Sequence, residues 1–459
     1  MQNRLSWNGS TPSLSLLAVA ALLAACGSSE APPKNPEAGV SADVGAPADT
    51  AAPGPTADGA SSVDGTAAAD GMATGDSGVT ADSGATADAG VAADVAGSDS
   101  GTGGGLGSAV AAKVAVGRLH TCALTSTGGV RCWGVSRDGQ LGNNTIAETI
   151  VSSPVQVTGL ASGATALASG ADHSCAVVAG AVKCWGGNDK GQLGNNSTTH
   201  SAVPVDVIGL SSGVSAIAAG FTHTCAVTTG GGVKCWGENG SGQLGNDATD
   251  DSKVPVDVVG LSSGVASVAV GLNMSCAVTT AGAVKCWGTN SFGELGNDST
   301  NASHVPVDVT GLATGGSGVS SGGATTCATV SGAIKCWGKN NHGQLGDNAG
   351  GLGVESHVPV AASGLTAGSV SISVGFDFAC GVVTGVVRCW GNSPAGMETL
   401  VSVEIAGVGT AASVSAGTNH VCAVTTAGAV KCWGDNSAGA LGNGTDTDSK
   451  VPVGVISLP

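Results

Sequence analysis

Residues 223–245 read HTCAVTTGGGVKCWGENGSGQLG, and this stretch contains the pattern that decides the fold. A short apolar segment around Cys225 is followed by three glycines and then by a second segment that ends in Cys235 and Trp236. Short runs of this kind that are bounded by glycines are typical of β-strands joined by tight turns. The stretch therefore predicts an antiparallel pair of strands followed by a glycine-rich loop.

The same pattern occurs seven times between residues 108 and 459. Each unit also has an apolar segment before its first Cys, and every unit except the sixth has a Pro-containing segment such as VPVDV at residues 254–258. The unit is roughly 50 residues long, apart from one short step before the last unit, and such periods are typical of propellers and solenoids. Four short strands in each of seven units predict an all-β fold, a seven-bladed β-propeller. A Cys-Trp-Gly triplet marks each unit, and its tryptophans are Trp133, Trp185, Trp236, Trp287, Trp337, Trp390 and Trp433.

Fourteen of the fifteen cysteines form seven pairs, one in each unit. A turn lies midway between the two members, so they face each other on neighbouring strands at a distance that a disulfide tolerates. Zinc sites and reduced thiols are the alternatives, but an isolated pair of this spacing is poor for zinc, and an export signal implies an oxidising compartment. We therefore expect the disulfides Cys122–Cys132, Cys175–Cys184, Cys225–Cys235, Cys276–Cys286, Cys327–Cys336, Cys380–Cys389 and Cys422–Cys432.

The two ends of the repeat region suggest how the ring closes. The first unit opens at residues 110–116 without a Val-Pro-Val segment before it, whereas the chain ends in a Val-Pro-Val segment at residues 451–453. We therefore expect the C-terminal strand to complete the N-terminal blade.

The composition argues against several classes of protein. Glycine supplies 78 of the 459 residues, tyrosine is absent, and charged residues make up 11%, against roughly 25% in an ordinary soluble domain. The formal charge of -17 is unevenly divided, because residues 27–107 carry -11, residues 108–459 carry -7 and Arg4 adds +1. Both regions would repel a phosphate backbone, so we expect no nucleic-acid partner.

The N-terminus reads as an export signal, because Arg4 is followed by an apolar stretch too short for the roughly 20 residues that span a bilayer. The sequence LAAC at residues 23–26 resembles the lipobox of bacterial lipoproteins; a secretory signal with a chance cysteine is the alternative. The resemblance implies a lipoprotein signal peptide at residues 1–25 and lipidation of Cys26. Gly27 is not the Asp that commonly retains lipoproteins at the inner membrane. We therefore expect an outer-membrane lipoprotein on the periplasmic face or the cell surface.

Residues 26–107 are rich in Ala, Gly, Ser, Thr and Asp and have no aromatic residue, which predicts a disordered linker. In one interpretation its carboxylates bind Ca²⁺ or template a β-helix, a fold that would need a bulky apolar residue in each unit. In the other, the carboxylates keep the linker soluble and extended. We favour the extended linker, which would hold residues 108–459 away from the membrane. An aspartate recurs at every sixth position: Asp58, Asp64, Asp70, Asp76, Asp82, Asp88 and Asp94.

The order of motifs within the units is distinctive. Gly-x-x-His-x-Cys-Ala, Cys-Trp-Gly-x-Asn, Gly-Gln-Leu-Gly-Asn and Val-Pro-Val follow one another over residues 110–456. This order resembles the repeats of the regulator of chromosome condensation family, and particularly bacterial proteins described as alpha-tubulin-suppressor-like. Glu294 and Ala440 replace the Gln, and the sixth unit lacks the Gly-Gln-Leu-Gly segment after Trp390. Eukaryotic members of the family act as exchange factors for a small GTPase, a role that we do not expect of an exported protein.

Two further sets of repeated residues are candidates for a site. The histidines either line a metal-binding axis or are structural, and we favour the structural role without a metal because Met274, Thr325 and Phe378 replace them in three units. The cations either form a docking ring for an anionic partner or, as we favour, cover the nearby Trp or pair with an Asp. The histidines are His120, His173, His223 and His420, the cations before the second Cys are Arg131, Lys183, Lys234, Lys285, Lys335, Arg388 and Lys431, and the aspartates are Asp206, Asp257 and Asp308. We expect the repeated tryptophans to anchor packing between blades.

No nucleophile elbow, phosphate-binding loop or HExxH helix occurs in the sequence. We therefore predict a monomeric, non-enzymatic binding or scaffold propeller without a cofactor, whose variable loops at residues 145–153 and 249–253 contact an unknown protein partner. One alternative is an inhibitor of an enzyme such as a β-lactamase, because a secreted bacterial propeller with similar repeats has that activity. Besides the repeated Trp, however, the chain offers only Phe221, Phe292, Phe376 and Phe378 as aromatic anchors. A propeller lyase or hydrolase is the other alternative.

Overall fold

The computed structural model describes residues 110–456 and Leu458. These residues form seven four-stranded antiparallel sheets, which we number as blades 1 to 7 in chain order. The signal peptide, Cys26 and the linker predicted up to residue 107 lie outside the described residues. Within the described part of the chain, no helix is long and apolar enough to cross a membrane.

The strands are short and evenly distributed. Blades 1 and 2 contain β1 (Ala111–Val116), β2 (His120–Thr125), β3 (Val130–Ser136), β4 (Ala147–Gln156), β5 (Ala164–Ser169), β6 (His173–Val178), β7 (Ala181–Gly186) and β8 (Ser201–Asp206). Blades 3 and 4 contain β9 (Val214–Ala219), β10 (His223–Thr228), β11 (Val233–Gly237), β12 (Ser252–Asp257), β13 (Val265–Val270), β14 (Met274–Thr279), β15 (Val284–Gly288) and β16 (Ser303–Asp308). Blades 5 and 6 contain β17 (Gly316–Ser321), β18 (Thr325–Val330), β19 (Ala333–Lys339), β20 (Glu355–Ala361), β21 (Ser369–Val374), β22 (Phe378–Val383), β23 (Val386–Ser393) and β24 (Met397–Glu404). Blade 7 contains β25 (Ala411–Ala416), β26 (His420–Thr425), β27 (Val430–Gly434) and β28 (Ser449–Gly454).

The strands of each blade pair in chain order, from the innermost strand at the ring axis to the outermost. In blade 3, Cys225 on β10 lies directly opposite Cys235 on β11, and the same register recurs in the other blades. The predicted all-β, seven-bladed propeller is therefore confirmed.

The predicted mode of ring closure is wrong. The C-terminal strand β28 pairs with β27 of its own blade, and blade 1 has its own fourth strand, β4, next to β3. The reason is that the fourth strand follows the Trp in every unit, so the first unit already ends with its own Pro-containing strand at Pro154. The ring closes instead by packing of blade 7 against blade 1, with Trp133 among Cys422, Val424 and Leu441.

The core is divided among the seven contacts between neighbouring blades, which we call seams. Each seam contains one apolar cluster, in which the Trp of one blade packs against the disulfide of the preceding blade. At the seam between blades 2 and 3, for example, fully buried Trp236 lies with Cys175, Cys184 and Leu193. The structure thus places the repeated tryptophans between blades.

Candidate binding face and the seams beneath it

The two edges of the ring differ in the connections that they carry. One edge, the loop face, carries the loops between the first and second and between the third and fourth strands of every blade. The opposite edge, the turn face, carries the tight turns between the second and third strands and the connections from one blade to the next. Both predicted variable loops, residues 145–153 and 249–253, lie at the loop face.

Seven glycines form a ring at the loop-face end of the central channel, one after each innermost strand: Gly117, Gly170, Gly220, Gly271, Gly322, Gly375 and Gly417. The backbones of neighbouring blades approach so closely here that only glycine fits. A methyl group on Gly322 would lie 1.8 Å from the carbonyl oxygen of Gly375, and one on Gly170 would lie 2.2 Å from that of Gly220. The amide of Ala171 also donates to the Gly220 carbonyl at 3.1 Å. This glycine ring makes the end of the channel narrow and rigid.

The residue after each ring glycine surrounds a shallow cavity of about 100 Å³ at the mouth of the channel. Arg118 lies here with its guanidinium carbon 5.8 Å from the centre of the Phe221 ring, and it also forms an ion pair with Asp172 of the next blade. Leu272 and half-exposed Phe376 complete the apolar part of the lining. The cavity is smaller than the roughly 300 to 1,000 Å³ of ordinary small-molecule pockets.

Further ion pairs connect the loops of neighbouring blades on the loop face. Lys190 of blade 2 lies 3.2 Å from Glu238 and 3.3 Å from Asp251, both of blade 3. Lys339 of blade 5 lies 3.2 Å from Asp377 of blade 6. Such half-exposed pairs add little stability, but they hold the loops in defined positions.

In five blades an asparagine organises the long loop of the loop face. The side-chain amide of Asn239 donates to the carbonyl oxygens of Ala248 and Asp250 at 3.0 Å, while its Oδ1 accepts from the Leu244 amide at 2.9 Å. The repetition of the Cys-Trp-Gly-x-Asn motif before these five loops is the sequence signal for this role. Equivalent buried residues are Asn188, Asn290, Asn340 and Asn436.

The Gly-Gln-Leu-Gly loops reach across the seams. The indole nitrogen of Trp236 donates at 2.9 Å to the carbonyl oxygen of Gln192 in the loop of the preceding blade, and five other tryptophans make the equivalent bond. Trp433 is the exception, because blade 6 enters β24 at Met397 without forming that loop. Its buried indole nitrogen has no hydrogen-bond partner in the described part of the chain.

The repeated histidines also bridge seams, directly under the loop face. His223 Nε2 is hydrogen-bonded to Ser275 Oγ of the next blade at 2.9 Å, and His120, His173 and His420 contact hydroxyls in the same way. Burial lowers the pKa of His120 and His223 to about 3 and the pKa of His173 and His420 to about 4. In the seam between blades 6 and 7, Phe378 packs with Val421 instead, so both members of the pair are apolar there. The four histidines therefore form buried hydrogen bonds between neighbouring blades in the packed interior of the ring.

Glu294 replaces the loop Gln of blade 4 and is buried. Its Oε2 accepts from the Phe292 amide at 2.7 Å, which mimics the bond from Ser241 to Gln243 in blade 3. Burial raises the pKa of Glu294 above its ordinary value. Burial of this carboxyl group therefore makes it easier to protonate than an ordinary glutamate.

The disulfides and cations occupy the predicted positions. All seven within-unit cysteine pairs are bonded, with Cα–Cα distances of 4.0 to 4.1 Å. Lys183, Lys234 and Lys285 pair with Asp206, Asp257 and Asp308 at 2.6 Å, which confirms the expected ion pairs in blades 2 to 4. The corresponding partners of Arg131, Lys335 and Lys431 are Gln156, Ala361 and Gly454, which carry no charge.

The two faces differ strongly in charge. Of the charged residues described, 17 acids and six bases lie at the loop face, a net charge of -11, whereas four acids and eight bases lie at the turn face, a net charge of +4. Among the same residues, no group of three or more His, Cys, Asp or Glu side chains is arranged to hold a metal ion. The loop face is therefore an acidic surface with ordered loops around an apolar mouth.

Comparison with known proteins identifies the family. The model of the RCC1-like domain matches residues 83–400, well over half of the chain, and the regulator of chromosome condensation (RCC1) repeat matches residues 411–440. The chain belongs to the RCC1-like family. The resemblance seen in the repeat motifs is thus confirmed.

Two curated relatives each match less than half of the chain. The human E3 ubiquitin-protein ligase HERC2 is 31% identical over 214 residues, which are 44% of this chain and 4% of that protein. The ultraviolet-B receptor UVR8 of Arabidopsis thaliana is 31% identical over 212 residues, 45% of this chain and 47% of the receptor. The matches therefore span about half of UVR8 and a small part of HERC2.

Solved structures show the same fold. The structure of Prp20p from Saccharomyces cerevisiae, described together with its binding to Gsp1p and histones, aligns with a TM-score of 0.63 at 22% identity over 75% of this chain and 87% of that one. Human WBSCR16 aligns with a TM-score of 0.59 at 22% identity over 68% of this chain and 85% of that one. At these identities the likeness concerns the fold alone.

Proposed function

We propose that this RCC1-like chain is a membrane-anchored, extracytoplasmic scaffold that binds a protein partner through its loop face and has no catalytic activity. The observation that carries the proposal is the combination of ordered, variable loops with a net charge of -11 on one rigid face. Loops that a rigid framework positions are the usual carriers of recognition. The small cavity at the mouth favours a protein over a small molecule as the ligand.

The comparisons are consistent with a protein partner. The structure of Prp20p was described together with its binding to Gsp1p and histones, and another structure shows Kap60 bound to yeast RCC1. We infer that this chain uses its propeller in the same general way, with a different partner.

Binding at the loop face can be tested with two matched double variants. Thr249→Lys with Thr447→Lys places two cations on exposed loop-face positions, whereas Ser211→Lys with Ser262→Lys places two on exposed turn-face positions. Proteins captured from envelope extracts should bind the loop-face variant at least about tenfold more weakly and the turn-face variant normally, because only the former alters the interface. Equal binding to both variants, or capture of only polysaccharide or small molecules, would contradict the proposal.

The two alternative functions are addressed by direct assays of the purified chain. Inhibition of β-lactamase hydrolysis at stoichiometric concentration would replace the scaffold by an inhibitor. Turnover of a polysaccharide or ester substrate that survives repurification would replace it by an enzyme.

The location is proposed from the N-terminal sequence. Cys26 as the lipidated residue and the outer membrane as the destination follow from the lipobox resemblance, with Gly27 as a sorting-neutral neighbour. Cys26→Ser should abolish incorporation of labelled palmitate, whereas Gly27→Asp should preserve it and shift the protein to the inner membrane. Palmitate incorporation that persists in Cys26→Ser would refute the anchor.

A further inference from the structure

The positive charge of the turn face is confined to one side of the ring. In blades 2 to 4 each repeated Lys is neutralised by an Asp at 2.6 Å. In blades 5, 6, 7 and 1 the half-buried cations face only one carboxylate among the described residues, Glu404, which lies opposite Arg388. We call this set the cation arc; it has a net charge of +4 with Glu404 included, and its members are Lys335, Arg388, Lys431, Arg131 and Lys113.

The chain enters the propeller within this arc. Strand β1 begins at Ala111 on the turn face, where the Ala111 amide donates to the carbonyl oxygen of Gly428 in blade 7 at 3.0 Å. Lys113 and Arg131 belong to the same blade 1, and Lys431 belongs to neighbouring blade 7. Residues that precede Val110 therefore start beside the unneutralised cations.

We propose that the cation arc binds the acidic segment at residues 88–99 of this same chain. The segment contains Asp88, Asp94 and Asp99 and no cation, so its charge of -3 complements the arc, and it lies outside the described residues. These aspartates precede Val110 by 22, 16 and 11 residues, and an extended chain of those lengths reaches about 75, 55 and 40 Å. Covalent connection supplies an effective concentration in the millimolar range, so weak ion pairs suffice.

The loop face cannot compete for this segment, because its net charge is -11. An anionic lipid surface is a weaker candidate for the arc, since the whole chain carries -17 and the connected acidic segment is always present. Docking would fix the point at which the linker leaves the ring. Because that point is on the turn face, the loop face would point away from the linker. The proposal depends neither on lipidation nor on the binding partner.

The sign of the salt response tests the proposal. A free acidic linker contracts as salt screens its self-repulsion, whereas a linker held on the arc is released by salt and expands the particle. Small-angle scattering on the full chain carrying Cys26→Ser should therefore show a radius of gyration that increases between 0.02 and 0.5 M NaCl. Carbodiimide at low salt should also couple Asp88, Asp94 or Asp99 to Lys335 or Lys431, with a yield at least about fivefold lower at high salt.

Two matched pairs of variants locate the effect. Arg131→Gln, Lys335→Gln and Lys431→Gln together should reverse the salt response, whereas Lys183→Gln, Lys234→Gln and Lys285→Gln, which remove the same charge from neutralised sites, should not. Likewise Asp88→Asn, Asp94→Asn and Asp99→Asn should abolish coupling, and Asp58→Asn, Asp64→Asn and Asp70→Asn should preserve it. A radius that decreases with salt in the starting chain would overturn the proposal, as would equal coupling of near and distant aspartates. Sedimentation with phosphatidylglycerol vesicles that only the arc variant loses would assign the arc to lipid instead.

Discussion

The glycine ring predicts opposite effects on stability for the same substitution at two nearby positions. Gly318 lies in the middle of β17, the innermost strand of blade 5, and Gly322 directly follows that strand. A methyl group at Gly318 meets nothing within 4 Å, whereas a methyl group at Gly322 would lie 1.8 Å from the Gly375 carbonyl oxygen of blade 6. Gly318→Ala is therefore a matched control for Gly322→Ala.

The magnitude follows from these contacts. Gly318→Ala should raise the free energy of unfolding by up to about 1 kcal/mol, because alanine has less conformational freedom than glycine in the unfolded chain. Gly322→Ala must separate two backbones by more than 1 Å, and overpacking of this kind costs about 1 to 3 kcal/mol or more. Because the Gly375 carbonyl belongs to the backbone and cannot rotate away as a side chain would, we expect about 3 kcal/mol. The two variants should thus differ by about 3 to 4 kcal/mol.

The assay is guanidinium unfolding of the oxidised chain, followed by fluorescence of the buried tryptophans. Hydrogen exchange should also show faster exchange in β17 and β21 of Gly322→Ala, since the seam between blades 5 and 6 must widen there. Unfolding free energies of the two variants within about 0.5 kcal/mol of each other would refute the close approach at the glycine ring.

Three further predictions concern the seams. Glu294→Gln should stabilise the chain increasingly as the pH rises, because burial raises the pKa of Glu294. The contribution of the protonated carboxyl to folding stability is fully present only at low pH and is lost as the pH rises through the folded-state pKa. Unfolding at pH 5 and pH 8 measures the difference, and an equal effect of the substitution at both pH values would contradict the prediction. The four buried histidines have folded-state pKa values of about 3 or 4, so the free energy of unfolding should be constant above pH 6.5. Below pH 6.5 it should fall by about 1.4 kcal/mol per pH unit for each histidine until the pH reaches the folded-state pKa. His223→Gln should reduce the slope of stability against pH, and an unchanged slope would show that the imidazole is not held neutral. Trp236→Phe should lower the free energy of unfolding by about 1 to 2 kcal/mol more than Trp433→Phe, because of the two only Trp236 has a buried indole hydrogen bond among the described residues. Equal losses of stability would show that the indole nitrogen of Trp433 has an acceptor.

The features that were predictable from the sequence are those set by local, repeated spacing. The disulfide of Cys225 and Cys235 follows from a short hairpin, and the propeller follows from seven such hairpins. The predicted ring closure is wrong because it overlooks that Pro154 already marks a fourth strand in the first unit, so the segment at residues 451–453 pairs within its own blade.

Other features depend on contacts between blades, which spacing within a unit does not specify. The joint change of Phe378 and Val421, and the missing partner of Trp433, become visible only when neighbouring blades are placed side by side. The glycine ring is similar: a Gly before each second strand was visible in the sequence as a turn residue, but its contact with the next blade was not. The charge difference between the faces likewise requires the strand directions.

Every blade is built from consecutive residues, and its covalent cross-link joins cysteines only nine or ten positions apart. A whole unit can therefore be copied or deleted as a cassette during evolution without leaving an odd thiol or an incomplete sheet. Had the last strand been donated to the first blade, the terminal units would have been inherited only together. This strand order therefore makes each repeat of the gene encode one complete blade.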